Sequence, residues 1–181
     1  MISMERLVSS RRVYDGKIIN LRVDQVKLPD GSIHQREIVE HPGAVAILPI
    51  LDDDRILLIR QYRHAVGEIL LEIPAGTLKR GEEPRECARR ELLEETGYVA
   101  ESMSELFNCY LAPGYSSERI HIYQASRLRM VGSRMDVDEH IDLEPVTLHE
   151  VEAMIRNRKI RDAKTIAAVT FYLWARYWGE S

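Results

Sequence analysis

The chain has 181 residues, a formal net charge of −4, 45% apolar residues and 30% charged ones. That balance suits a folded domain with an appendage, and the lack of any basic tail argues against nucleic acid as a partner. No apolar run approaches the ~20 residues of a membrane helix, and residues 1–16 lack the apolar centre of a signal peptide.

Residues 5–14, 18–28 and 32–40 read as strands, broken at Asp15-Gly16 and at Pro29-Asp30-Gly31. This meander has few large apolar residues and is expected to lean on another surface. Pro42-Gly43 marks a boundary, giving regions 1–43 and 44–181. Residues 44–51 form a near-continuous apolar run, as in a strand buried on both faces. Residues 55–60 and 68–73 follow as strands. Pro84 to Thr96 is helical, with Pro in the first turn and Gly97 after the last. Strands are expected at 104–112 and 118–126, a polar loop at 129–140, and helices at 148–157 and 162–178. The order implies an α+β fold in α/β/α layers around a mixed sheet. Phe171, Trp174, Tyr177 and Trp178 recur at helical spacing, which suggests core or dimer packing. Cys87 and Cys109 show neither a CxxC pair nor zinc spacing and read as reduced thiols of a cytoplasmic protein. His121 reads as a structural side chain within a strand.

Residues 76–98, GTLKRGEEPRECARRELLEETGY, carry the chemistry. Glu91 and Glu95 are four apart and stack on one helix face; Glu94 flanks them. Such a cluster of like charge is costly unless a cation neutralises it. Carboxylates without His or Cys suit Mg²⁺ or Mn²⁺ rather than zinc. Arg90 and Glu82 are spaced to pair and brace the preceding loop.

This stretch resembles the Nudix box, G-x5-E-x7-R-E-U-x-E-E-x-G-U. It matches at Gly76, Glu82, Arg90, Glu91, Glu94, Glu95 and Gly97, with Tyr98 where an aliphatic residue is usual. The resemblance implies a magnesium-dependent hydrolase of nucleoside diphosphates linked to another group. The segments 71–76, 61–63, 112–123 and 162–169 resemble the ADP-ribose pyrophosphatase branch, as does the placing of Pro113 sixteen residues after Gly97. That branch implies hydrolysis of ADP-ribose to AMP and ribose 5-phosphate, with another nucleotide sugar such as GDP-mannose as the alternative.

By the same resemblance, the metal ligands are the Ala75 carbonyl, Glu91 and Glu95, with Glu94 helping to hold a second ion. The general base is expected in the loop at 136–140. Glu139 is the candidate there, and Asp138 or a box glutamate the alternative. Arg63 and Arg36 are expected to meet the anionic substrate, although either could instead form a surface ion pair. Glu118, beside the Pro113 loop, is expected near ribose or a metal-bound water. Ile18 or Ile19 takes the place beside adenine where the branch often has an aromatic residue. The branch also implies a homodimer made by exchange of the amino-terminal strands, with Arg36 reaching the partner's site.

Overall fold

The computed structural model describes residues 4–132 and 141–178. Its contacts divide the chain into two compact units: Met1–Gly43 with Cys109–Arg119, and Ala44–Asn108 with Ile120–Ser181. Nothing in the sequence signals that residues 109–119 belong with the amino-terminal strands.

In the first unit, β1 (Arg6–Asp15), β2 (Asn20–Lys27) and β3 (Ile33–Glu40) form an antiparallel sheet in that order. The Pro29-Asp30-Gly31 turn closes as its residue types require: Asp30 Oδ1 accepts from the Ser32 N–H at 2.9 Å and from its hydroxyl at 2.6 Å. β1 is exposed along its whole length, including Leu7, Val8, Val13 and Tyr14. The segment 109–119 is tied to β3 through backbone bonds. The Val39 N–H donates to the Tyr115 carbonyl at 2.8 Å and the Ser117 N–H to the Val39 carbonyl at 2.9 Å.

The second unit holds two sheets. One has the order β7-β4-β9-β8, formed by β7 (Ala75–Thr77), β4 (Ala44–Pro49), β9 (Arg119–Met130) and β8 (Tyr98–Tyr110). The β4 strand runs parallel to β9 and antiparallel to β7, so the sheet is mixed. The other has the order β10-β5-β6 and is antiparallel, from β10 (Ile141–Thr147), β5 (Arg55–Arg63) and β6 (Glu68–Glu72). All six residues of β4 are buried. Val45 and Ile47 pack with Cys87, Ala88 and Leu92 of α1 (Pro84–Thr96). Their alternates face the other way, and α3 (Ala163–Trp178) also packs on β4. Helix α2 (Leu148–Arg156) lies against β10, β5 and α3, and opens with a Thr147–Glu150 capping box.

Three features escape sequence periodicity. β7 has only three residues, too few to show a period. β10 contains Pro145, which ordinarily speaks against a strand; here it sits at the sheet edge, where a missing N–H costs no ladder bond. β8 begins at Tyr98 rather than near residue 104, directly after the helix. Helix α1 has the expected bounds. Gly97 at its end adopts φ 75°, a left-handed geometry that any Cβ would strain, and its N–H bonds the Leu93 carbonyl. The aromatic stripe on α3 is only partly covered. Phe171 packs on Phe107 with ring centroids 4.9 Å apart, while Trp174 and Tyr177 are exposed.

Candidate active site

The site is built on the corner where β6 ends and β7 begins, beside α1, which packs on β7 and β4. Gly76 makes this corner possible. A Cβ built there would lie 1.9 Å from Glu91 Cδ and 2.0 Å from its Oε1, so only glycine lets the carboxylate reach the backbone. The next residue back is held as tightly: the Ala75 N–H donates to Glu95 Oε2 at 3.0 Å. Glu95 is 3% exposed, an unusual place for a carboxylate.

Arg90 organises the remaining acids. Its Nε and Nη2 hold the two oxygens of Glu82 at 2.9 and 3.0 Å, the pairing expected from spacing. Its Nη1 reaches Glu91 Oε1 at 2.6 Å and Glu94 Oε2 at 2.8 Å. One cationic nitrogen thereby brings two carboxylates together. Glu82 also accepts from the Lys79 N–H at 2.9 Å, which fixes the loop before the helix. The Arg90 guanidinium and that N–H hold the Glu82 carboxyl far below its usual range, at about 2. In return the carboxylates, Glu82 foremost, raise the Arg90 pKa. Beneath this cluster, burial pushes the Cys87 thiol up to about 12, so it is inert as a nucleophile at neutral pH.

Among the described residues, no three acidic, histidine or cysteine side chains stand close enough together to enclose an ion. Glu91 and Glu94 are turned to Arg90, and Glu95 to the Ala75 N–H. The donor chemistry nevertheless fits a hard cation. All the donors are oxygens, two carboxylates already share one positive nitrogen, and the Gly76 cradle keeps backbone within reach of a third group.

Arg63 ends β5 and is turned toward the same corner. Its Nε and Nη2 grip Glu72 at 2.8 and 2.7 Å, and it also feels the charge of Glu95. Glu72 was not anticipated as a site residue. The signal was its single charge within the apolar run 69–73, since a charge in a buried strand needs a partner. It is 1% exposed and carries a second cation, Lys164. Burial pushes the Glu72 carboxyl up, but Arg63 and Lys164 outweigh it and hold the pKa below the usual range.

Of the other expected residues, Arg36, Glu118, Pro113, Ile18 and Ile19 lie in the first unit. Arg36 is paired to Glu5 at 3.1 and 2.5 Å. Glu118 stands 3.9 Å from His41 Nδ1, on the loop that also carries Pro113. Ile18 and Ile19 are exposed between β1 and β2. Residues 136–140, Glu139 among them, fall outside the described residues. His121 is paired with Glu105 at 3.0 Å.

A mixed sheet with an acid-bearing helix seated on a glycine corner defines a class. The chain belongs to the Nudix hydrolases: the NUDIX domain model matches residues 40–169. The model of the nucleoside diphosphate sugar hydrolase N-terminal domain matches residues 5–39. The chain is 38% identical over 169 residues to an ADP-ribose pyrophosphatase of Bacillus subtilis (strain 168), covering 92% of this chain and 91% of that one. It is 41% identical over 169 residues to a methanol dehydrogenase activator of Bacillus methanolicus, with the same coverage. A solved structure, titled crystal structure of ADP compounds hydrolase, superposes with a TM-score of 0.85 at 23% identity. It covers 98% of this chain and 97% of its own, and bears out the mixed-sheet α+β fold.

The Glu82–Arg90 pair gives a pH-dependent prediction. Because the folded pKa of Glu82 lies below the ordinary ~4.3 of an unfolded Glu, its stabilisation is full above that value and is lost as pH falls toward about 2. Glu82→Gln is expected to cost about 1–2 kcal/mol at pH 7, with the gap to wild type narrowing below about pH 4.5. Urea unfolding of both proteins from pH 7 to pH 3 checks this.

Proposed function

We propose that the chain hydrolyses the diphosphate of ADP-ribose, giving AMP and ribose 5-phosphate, with Mg²⁺ as its ion and Mn²⁺ as a substitute. The observation that carries this reading is the glycine corner, where Glu91 is pressed on Gly76 and shares the Arg90 nitrogen with Glu94. The similarity to an ADP-ribose pyrophosphatase over nearly the whole of both chains supports the substrate.

Nudix hydrolases generally use divalent metals. In this reading the Ala75 carbonyl, Glu91, Glu94 and Glu95 hold the metal. A divalent ion bound there neutralises phosphate charge and makes a bound water more acidic. The residues of the chain do the rest. Arg90 keeps Glu82, Glu91 and Glu94 aligned. Arg63 meets the anionic diphosphate with its planar fork, and Arg36 adds charge from the partner subunit. Pro113 and Glu118 shape the ribose side, and Ile19 offers an apolar face to adenine. Glu139 takes the proton of the attacking water as the bond between phosphorus and the bridging oxygen breaks.

A homodimer built on the amino-terminal strands accompanies this reading. Its support is the exposure of β1 along its whole length, with four large apolar side chains in water. A strand of that kind is stabilised by covering it. The reading places the protein in the cytoplasm, whose reducing conditions suit its two free cysteines, Cys87 and Cys109.

Phosphate release, coupled through a phosphatase acting on the products, tests the substrate across ADP-ribose, GDP-mannose, NADH and diadenosine polyphosphates with Mg²⁺ or Mn²⁺. ADP-ribose is expected to give the highest kcat/KM. A preference for GDP-mannose would replace the substrate while leaving the machinery. Deleting residues 1–40 is expected to yield an inactive monomer by light scattering and assay; an active monomer would exclude the shared site.

A further inference from the structure

The residues leading into Ala75 are held by a turn of α3 that lies outside the box. The Ile73 N–H donates to Thr165 Oγ1 at 2.9 Å, a fully buried bond. Thr165 is fixed by Asp162, whose Oδ2 accepts from the Thr165 N–H at 2.9 Å and its hydroxyl at 2.6 Å. Asp162 immediately precedes α3 and binds the N–H three residues on, as an N-cap does. Its Oδ1 accepts from Lys164 Nζ at 3.0 Å, and the same ammonium bonds Glu72.

Glu72 therefore has two cations, and they are unequal. The Lys164 side chain is 11% exposed and is fastened by two carboxylates, one of them in its own helical turn. The Arg63 side chain is 37% exposed, and its Nε and Nη2 both bond Glu72. It is the last residue of β5, followed by an exposed turn. A buried carboxylate tolerates the loss of one of two counter-charges but not of its last. Arg63 is the partner placed to leave, and Lys164 the one placed to stay.

We propose that Lys164 is a positioning residue for substrate binding: it keeps Glu72 neutralised when Arg63 turns from Glu72 to the diphosphate. This rests on the reading of Arg63 as a substrate arginine. Without Lys164, any substrate drawn to Arg63 would strand the charge of Glu72 in the interior. The loss would fall on affinity, because Lys164 acts through Glu72 and Arg63 and touches no reacting atom.

The test compares Lys164→Met, Glu72→Gln and the double variant in the full chain. KM and kcat are measured with metal, and the Kd of ADP-ribose by calorimetry in EDTA, well below each melting temperature. Lys164→Met is expected to raise KM and Kd at least about tenfold while kcat stays within about threefold. The double variant is expected to return both to within about threefold of wild type, since no charge remains to strand. An unchanged Kd in Lys164→Met, or an equal rise in the double variant, overturns the proposal. If Lys164→Met does not fold, Glu72→Gln decides: Arg63 is then released in advance, so Kd must hold or fall, and a rise of about tenfold overturns the proposal. If wild type neither binds nor cleaves ADP-ribose, the functional reading fails instead, and the same comparison is made with the nucleotide sugar that wild type does cleave.

Discussion

The close approach of Glu91 to the backbone at Gly76 is the constraint on which the rest of this structure depends. A carboxylate occupies the space where any other residue would carry its Cβ. To bring it there, α1 must cross β7 and β4 at a fixed height. The buried face of the helix sets that height, with Cys87, Ala88 and Leu92 seated on Val45 and Ile47. The two ends of the helix are fixed by opposite devices: a proline in the first turn and a left-handed glycine after the last. A helix free to slide by one residue would lose the corner.

That geometry gathers negative charge, and the fold answers it with two arginines of different character. Arg90 belongs to the helix itself and is surrounded by Glu82, Glu91 and Glu94, so its role is to hold acids in place. Arg63 comes from a neighbouring sheet and is more exposed, held by a carboxylate that has a second cation. Stability is lodged in the first arrangement and freedom to respond in the second. The corner between them is fastened from both sides, by Glu95 at the Ala75 N–H and by Thr165 at the Ile73 N–H.

Much of this was legible in the sequence, for reasons that are local. The bounds of α1 follow from Pro84 and Gly97, and the Arg90–Glu82 brace follows from their spacing across a loop and two helical turns. The three-strand meander follows from its turn residues. What escaped is long-range or too short to have a period. Lys164 meets Glu72 across 92 positions, and no local pattern announces that pairing. β7 has three residues, and β10 hides a proline at a sheet edge. The grouping of residues 109–119 with the first unit rests on bonds from Tyr115 and Ser117 to Val39, 76 and 78 positions away. Convergence of the box glutamates on one point is also not given by helical spacing. Arg90 divides them, holding Glu91 and Glu94 while Glu95 turns to the backbone.

In the proposed reading the glycine corner is a seat for a hard divalent cation. Titration of Mn²⁺ followed by electron paramagnetic resonance tests it most directly, on wild type and on Gly76→Ala with folding checked by circular dichroism. Wild type is expected to bind Mn²⁺, and the alanine methyl, by displacing Glu91, to weaken binding at least about tenfold in a folded protein. Equal Mn²⁺ affinity in the two folded proteins, or no binding to wild type, would contradict it.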